Sequence, residues 1–353
     1  MIPEWLYSKK LTYRKEIRQI LGIKFAFPRV TKTIAFVETQ GLGDYILIHN
    51  FYKYVKQSKK YHDYNIILIA RNNIASLAEA YDSMYINEFL YVDTRNAEKV
   101  LKNLKVEELV CSYNGLGKFE KWIFNNVKAK KRIIHGYGNK RANINIQTSN
   151  EQIFHRERMR MFYETLIEEK IPDDSLPYFR NEFADKNEKF IFISPFANDN
   201  MRTWGFDKYA LLIQNLCTKY PEKIAILGEA SQKEAIEKII QHCSKEKGKI
   251  INTAGSFSVN SLRDVLKTHA KLLIGNETGT IHLGMTCNIP IVCISNGSFY
   301  GMYQPYKNNK IKYVYPSEFD YKYTCLSNLN INTIQVDKVF NVVNKLLNNQ
   351  SNV

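Results

Sequence analysis

What this sequence lacks narrows its class before any motif is read. No stretch approaches the ~20 apolar residues a membrane-crossing helix needs, so no transmembrane anchor is expected. The N-terminal MIPEWLYSKKLTYRKEIRQ is broken by charge before an apolar run develops, which argues against a secretory signal. The six cysteines (Cys111, Cys217, Cys243, Cys287, Cys293 and Cys325) are scattered, with no C-x-x-C pair and no histidine at zinc spacing. Reduced core thiols in a cytoplasmic protein are therefore expected, rather than a disulfide framework or a structural metal. Acidic residues are short: 35 Asp and Glu stand against 50 Lys and Arg, a formal net charge of +15. That excess points to an anionic partner, whether nucleic acid, a membrane surface or a phosphorylated substrate, and does not choose among them. Part of it reflects a chain rich in Lys, Asn and Ile throughout.

What is present suits two cores. At 353 residues with 44% hydrophobic content, the chain exceeds the size one core usually serves. Apolar runs alternate with helical patterns. TKTIAFVE, NIILIA, FLYVD, ELVCSY and RIIHGY read as strands, with helices between them over about Asp44–Lys59, Ile74–Tyr81, AEKVLKNL and KFEKWIFNNV. His155–Glu169 reads as a long helix, and PDDSLPYFRNEFADKNE then loses periodicity. The alternation restarts with FIFISPF, KIAILG, KIINTAG, KLLIG and PIVCIS, again spaced by helices. One of these, SLRDVLKTH, opens on Ser261 with Asp264 three residues on, a capping-box pattern. The pattern predicts an α/β protein of two consecutive doubly wound halves with parallel sheets, and a ligand cleft at the carboxyl ends of the strands. The expected divisions are a basic amphipathic segment 1–30, a first domain 31–172, a linker 173–186, a second domain 187–330 and a C-terminal helix 331–353 free to cross back to the first.

Three segments carry candidate chemistry, each with a plainer alternative. In ETQGLGDYILIHN, Gly41 and Gly43 fit a dinucleotide fingerprint, but the third glycine position is Ile46, and no G-K-[ST] follows for a P-loop. What remains is Asp44 at the first turn of a helix, a base at the sheet's mouth or simply a helix cap. In SPFANDNMRTWGFDKYALL, Arg202 and Trp204 lie in a polar loop before a helix, where a phosphate would meet a guanidinium and free amides. The alternative is a surface arginine beside a tryptophan packed on the sheet. In LLIGNETGTIHLGM, small residues let a backbone approach a diphosphate closely, while a simple strand-to-helix turn with His282 bonding locally explains it too.

Together, in this order, the three segments resemble glycosyltransferase family 9, the lipopolysaccharide heptosyltransferases. The family's glycine-aspartate turn corresponds to Gly43-Asp44, its Lys-x-Trp-Pro to Arg202-Thr203-Trp204-Gly205, and its D-[ST]-G-x-x-H to Glu277 through His282. Leu227-Gly228-Glu229, Ala254-Gly255 ahead of Ser261-Leu262, and Gln304-Pro305-Tyr306 add to the likeness, which is strong over 190–306 and thin over 65–185. Asn50 stands where the family usually has proline, and arginine, glycine and glutamate replace lysine, proline and aspartate at 202, 205 and 277.

The resemblance implies a GT-B fold, two facing Rossmann-like domains with the acceptor on the first and the nucleotide sugar on the second. It implies inverting, metal-independent transfer, with heptose from ADP-heptose going to a hydroxyl of the lipopolysaccharide or lipooligosaccharide inner core. On it, Asp44 is the catalytic base. Arg202, Thr278, Gly279 and Thr280 bind the donor diphosphate, Glu277 the donor sugar and Glu229 the nucleoside, while Gly43 and His282 shape the site. Glu277, one methylene longer than aspartate, leaves room for a different sugar. No cofactor or metal is implied, and the sequence contains no Asp-x-Asp triplet.

The basic excess, concentrated in KAKKRIIHGYGNKRA and HRERMR, would then face a phosphorylated lipid-linked oligosaccharide acceptor and the anionic inner leaflet, with no nucleic acid as partner. A solvated basic face explains those stretches equally well. The protein would be cytoplasmic and peripheral on the inner membrane. Leu6, Tyr13, Ile17, Ile20 and Leu21 share one face of a basic N-terminal helix that could lie on that membrane or pack on the first domain. Rival readings are a related transferase with another sugar or a protein or glycan acceptor, a sugar-nucleotide epimerase of the same fold, and a non-enzymatic binder of nucleic acid or anionic surfaces.

Overall fold

The structure, a computed structural model, describes residues 32–113, 117–136, 142–148, 154–172, 189–243, 247–306, 308–321 and 329–348. The amphipathic N-terminal segment, the linker 173–186 and Cys325 lie outside the described residues. The other five cysteines are buried.

The first sheet has six parallel strands, β1 (Thr33–Glu38), β2 (Asn65–Ala70), β3 (Glu88–Tyr91), β4 (Lys105–Cys111), β5 (Lys128–His135) and β6 (Ile144–Ile146). Their spatial order is β3-β2-β1-β4-β5-β6. Burial on both faces explains why β1 and β2 read as unbroken apolar runs. The helices along this part of the chain are α1 (Leu42–Ile48), α2 (Phe51–Gln57), α3 (Ala75–Tyr81), α4 (Ala97–Asn103), α5 (Lys118–Asn126) and α6 (His155–Ile167). The single helix expected from Asp44 to Lys59 is thus two. The break falls at buried His49, whose Nδ1 turns to Asp82 at 3.3 Å while its carbonyl accepts from the Tyr52 amide in a tighter turn.

The second sheet is built from β7 (Phe190–Ser194), β8 (Lys223–Ile226), β9 (Ile250–Asn252), β10 (Ala270–Asn276), β11 (Ile291–Ile294) and β12 (Ile311–Val314), also all parallel. Its order is β12-β11-β10-β7-β8-β9. Counted from its own first strand, that is the same doubly wound order as the first sheet. The sixth strand of each sheet escapes a sequence reading: β6 is three residues long, and β12 is a short IKYV in a basic, aromatic stretch.

Around this sheet lie α7 (Phe206–Lys219), α8 (Lys233–His242), α9 (Val259–His269), α10 (Gly279–Thr286) and α11 (Val336–Asn348). The apolar stripe of α11 (Val336, Val339, Val343, Leu346 and Leu347) shares one core with Leu212, Leu216 and Ile239 of α7 and α8. The C-terminal helix therefore packs within the second unit rather than crossing back. α9 starts a turn earlier than expected, because Ser258, not Ser261, is the cap: its Oγ accepts from the Ser261 amide at 3.2 Å.

Two compact units emerge. One comprises Met1–Gln40, His49–Ser149 and Met159–Ile171; the other comprises Gly41–Ile48, Asn150–Arg158 and Pro172–Val353. The division departs from a cut near 172 by assigning α1 and the start of α6 to the second unit. Among the described residues, no helix is long and apolar enough to cross a membrane. The two basic stretches also differ in kind. On β5, Lys130 and Lys131 pair with Glu107 and Glu108. In HRERMR, His155 and Arg156 are buried, Arg156 donating to the Leu47 carbonyl, so this stretch is not a solvated cationic face.

Candidate active site

The second unit gathers the expected residues. Its strand order reverses between β7 and β10, the switch point at which a doubly wound sheet opens a crevice at its strand ends. Asn276, fully buried at the end of β10, ties the two loops together. Its Oδ1 accepts from the Trp204 amide and the Tyr209 hydroxyl, both at 3.1 Å, and its Nδ2 donates to the Pro195 carbonyl at 2.7 Å. Trp204 is itself buried and donates from Nε1 to the Ile334 carbonyl at 3.0 Å, so it anchors the loop in the core.

Arg202, held up by that anchor, stays partly exposed. Its Nη1 donates to the Glu277 carbonyl at 3.5 Å, and its guanidinium lies 5.0 Å over the Phe299 ring. Glu277 is buried, its Oε2 accepting from Gln304 Nε2 at 2.7 Å and Ser295 Oγ at 3.2 Å. Gln304 is fixed in turn by the Tyr315 hydroxyl at 2.9 Å. Burial pushes the Glu277 carboxyl up to about 7, opposed by the charge of Arg202 and the Ser295 hydroxyl.

Thr278 caps α10 in an extended conformation, leaving the helix's first amides directed outward. Its Oγ1, like Ser298 Oγ, is buried with no hydrogen-bond partner among the described residues. The start of α10 lies against α1: a Cβ on Gly279 would stand 3.3 Å from Leu42 Cβ, and one on Gly43 would stand 2.9 Å from His282 Cδ2. His282 is buried, its Nδ1 3.1 Å from the Tyr306 hydroxyl. Burial pulls its imidazole down to about 4, with His155 and Arg202 reinforcing and the Asp44 carboxylate opposing. At neutral pH His282 is uncharged, which suits a packing role better than proton transfer.

Asp44, in the first turn of α1, is half-buried. Its Oδ2 accepts from the Gly41 amide at 3.1 Å and its Oδ1 from the Tyr303 hydroxyl at 2.6 Å. Asp44, Arg202, Glu277, Thr278, Gly279, Thr280, Gly43 and His282 thus all belong to one unit. Glu229 is in that unit too, but exposed, its amide donating to Gln232 Oε1 at 2.8 Å in a turn before α8. Sequence reasoning missed Asn276, Arg156 and Tyr303. Asn276 carries no signal beyond a polar residue after an apolar run, Arg156 is one of three arginines in HRERMR, and Tyr303 is one of 23 tyrosines.

Residues 163–328 match the sequence model of Glycosyltransferase family 9 (heptosyltransferase). Through this segment, just under half of its length, the chain resembles glycosyltransferase family 9. It is a glycosyltransferase, and Arg202, Glu229 and the stretch from Glu277 to His282 lie inside the matched segment, while Asp44 lies outside it. No curated protein matches the chain by sequence.

Several solved structures share the fold. The Escherichia coli ADP-heptose lipopolysaccharide heptosyltransferase II is 16% identical, with TM-score 0.69 over 90% of this chain and 99% of its own. The family 9 glycosyl transferase from Veillonella parvula DSM 2008 is 15% identical, with TM-score 0.69 over 90% and 97%. The E. coli heptosyltransferase WaaC, solved with ADP-2-deoxy-2-fluoro heptose, is 13% identical, with TM-score 0.65 over 89% and 99%. The fold shared with these structures is GT-B.

Proposed function

We propose that this glycosyltransferase moves heptose from ADP-heptose to a hydroxyl of the lipopolysaccharide inner core, inverting the anomeric centre and using no metal. The acceptor oxygen forms its bond to the anomeric carbon as the bond to the diphosphate oxygen breaks. Asp44 takes the acceptor's proton, and ADP leaves with the electron pair. The observation that carries this reading is the convergence on one buried ring. Asp44 reaches His282 through Tyr303, whose hydroxyl meets the carboxylate and whose ring stands edge-on to the imidazole, and Arg202 bonds the Glu277 carbonyl just ahead of α10, which supports a carboxylate base beside a cationic anion site.

Arg202 and the amides of Thr278, Gly279 and Thr280 hold the diphosphate, and the buried Thr278 hydroxyl gains a partner there. Their positive charge stabilises the leaving group as it develops. Glu277 faces the sugar hydroxyls, and Glu229, exposed beyond β8, meets the nucleoside. The acceptor is phosphorylated and lipid-linked, which suits a chain of net charge +15 working at the cytoplasmic face of the inner membrane. The relative solved with an ADP-heptose analogue supports ADP-heptose as the first donor to try.

The test is Arg202→Ala with ADP-heptose in the presence of excess EDTA. Donor affinity and transfer rate should both fall, because a phosphate contact strengthens as charge builds on the leaving group. Wild-type activity should survive EDTA. Equal donor affinity in the two proteins, or a loss that Mg²⁺ or Mn²⁺ restores, would contradict the proposal.

A further inference from the structure

The loop between β11 and β12 supplies two adjacent side chains to two different carboxylates. Tyr303 donates to Asp44 Oδ1 at 2.6 Å, and Gln304 donates to Glu277 Oε2 at 2.7 Å. The turn that carries them is closed on itself: the Gly301 amide bonds to the Gln304 carbonyl at 2.7 Å and the Tyr303 amide to the Phe299 carbonyl at 3.0 Å. It is also fastened to α6, since the His155 amide donates to the Met302 carbonyl at 2.6 Å.

The phenol ring of Tyr303 is hemmed in by three others. Phe299 lies edge-on at 5.3 Å, His155 at 5.2 Å and His282 edge-on at 6.1 Å. A tyrosine held this way has little freedom to swing its hydroxyl off the carboxylate. Deleting the hydroxyl alone would leave the ring contacts intact.

We propose that Tyr303 is a positioning residue for the base. Its hydroxyl fixes the rotamer of the Asp44 carboxylate, so that Oδ2, held by the Gly41 amide, is turned to receive the acceptor's proton. This rests on the reading of Asp44 as the base. The substitution Tyr303→Phe removes the hydroxyl and leaves the ring contacts with Phe299, His155 and His282 in place.

The test compares wild type, Y303F and D44N. Selective ¹³C labelling of aspartate carboxyls, with the Asp44 signal assigned by its loss in D44N, reads the carboxylate's surroundings in the protein alone. At one neutral pH the Asp44 signal should move in Y303F; an unmoved signal would overturn the proposal. In transfer from ADP-heptose, Y303F should lose ~10–100-fold in kcat with donor KM unchanged. Wild-type kcat in Y303F beside a crippled D44N would overturn the role of Tyr303 and leave the base assignment standing. Full activity in D44N would overturn the base assignment itself.

Discussion

Gly43 and His282 touch so closely that a single added methyl group would collide: a Cβ at position 43 falls 2.9 Å from the imidazole Cδ2. The ring cannot simply yield, because Tyr306 bonds its Nδ1 and Tyr303 stands edge-on to it. Gly43→Ala is therefore expected to destabilise the protein by about 1–3 kcal/mol, the usual cost of overpacking. It should also lower turnover by displacing the start of α1, on which Asp44 sits. Urea unfolding and a rate measurement check both, and a variant as stable and active as wild type would show that the contact relaxes freely.

Asn276 is expected to matter for stability and donor affinity together. Asn276→Ala strands the Trp204 amide, the Tyr209 hydroxyl and the Pro195 carbonyl in a buried setting. Each unsatisfied group costs about 1–3 kcal/mol, so a clear drop in unfolding free energy follows. Because the same side chain holds the loop that presents Arg202, ADP binding measured by calorimetry should weaken as well. Loss of stability with unchanged ADP affinity would separate the anchor from the anion site.

The Glu277 carboxyl gives a pH signature whose sign is fixed by its direction of shift. Burial raises it from 4.5 to about 7, so the folded protein prefers it protonated. Its contribution is fully present below about pH 4.5 and is lost as pH rises through 7. The stability of wild type relative to Glu277→Gln should then fall steadily across that window. Thermal unfolding of both proteins between pH 4.5 and 8 measures the difference, and a constant gap would mean that Glu277 is ionised throughout. His282 runs the other way: lowered to about 4, it stabilises the fold above pH 6.5 and loses that effect toward pH 4.

Much of this architecture is legible in the residues. Runs such as IAFVE and LLIGN, buried on both faces of a parallel sheet, have no alternation to confuse with a surface strand, and glycine turns mark where they end. The residues from Glu277 to His282 are contiguous, so their grouping at one helix start needs no tertiary information. Other features depend on partners far away in the chain. The break after α1 follows from His49 reaching Asp82, and the true cap of α9 is one of two serines with nearly the same local pattern. Tyr303 meets Asp44 across 259 positions of sequence, and no local spacing encodes such a contact.

One measurement bears directly on Asp44 as the base of a glycosyl transfer. Single-turnover transfer from saturating ADP-heptose by Asp44→Asn should be slower than wild type by ~10²–10⁴-fold, the usual worth of a positioned general base. ADP affinity should meanwhile be nearly unchanged. A rate within a few-fold of wild type would contradict the account and leave Asp44 as a helix cap bonded to Tyr303.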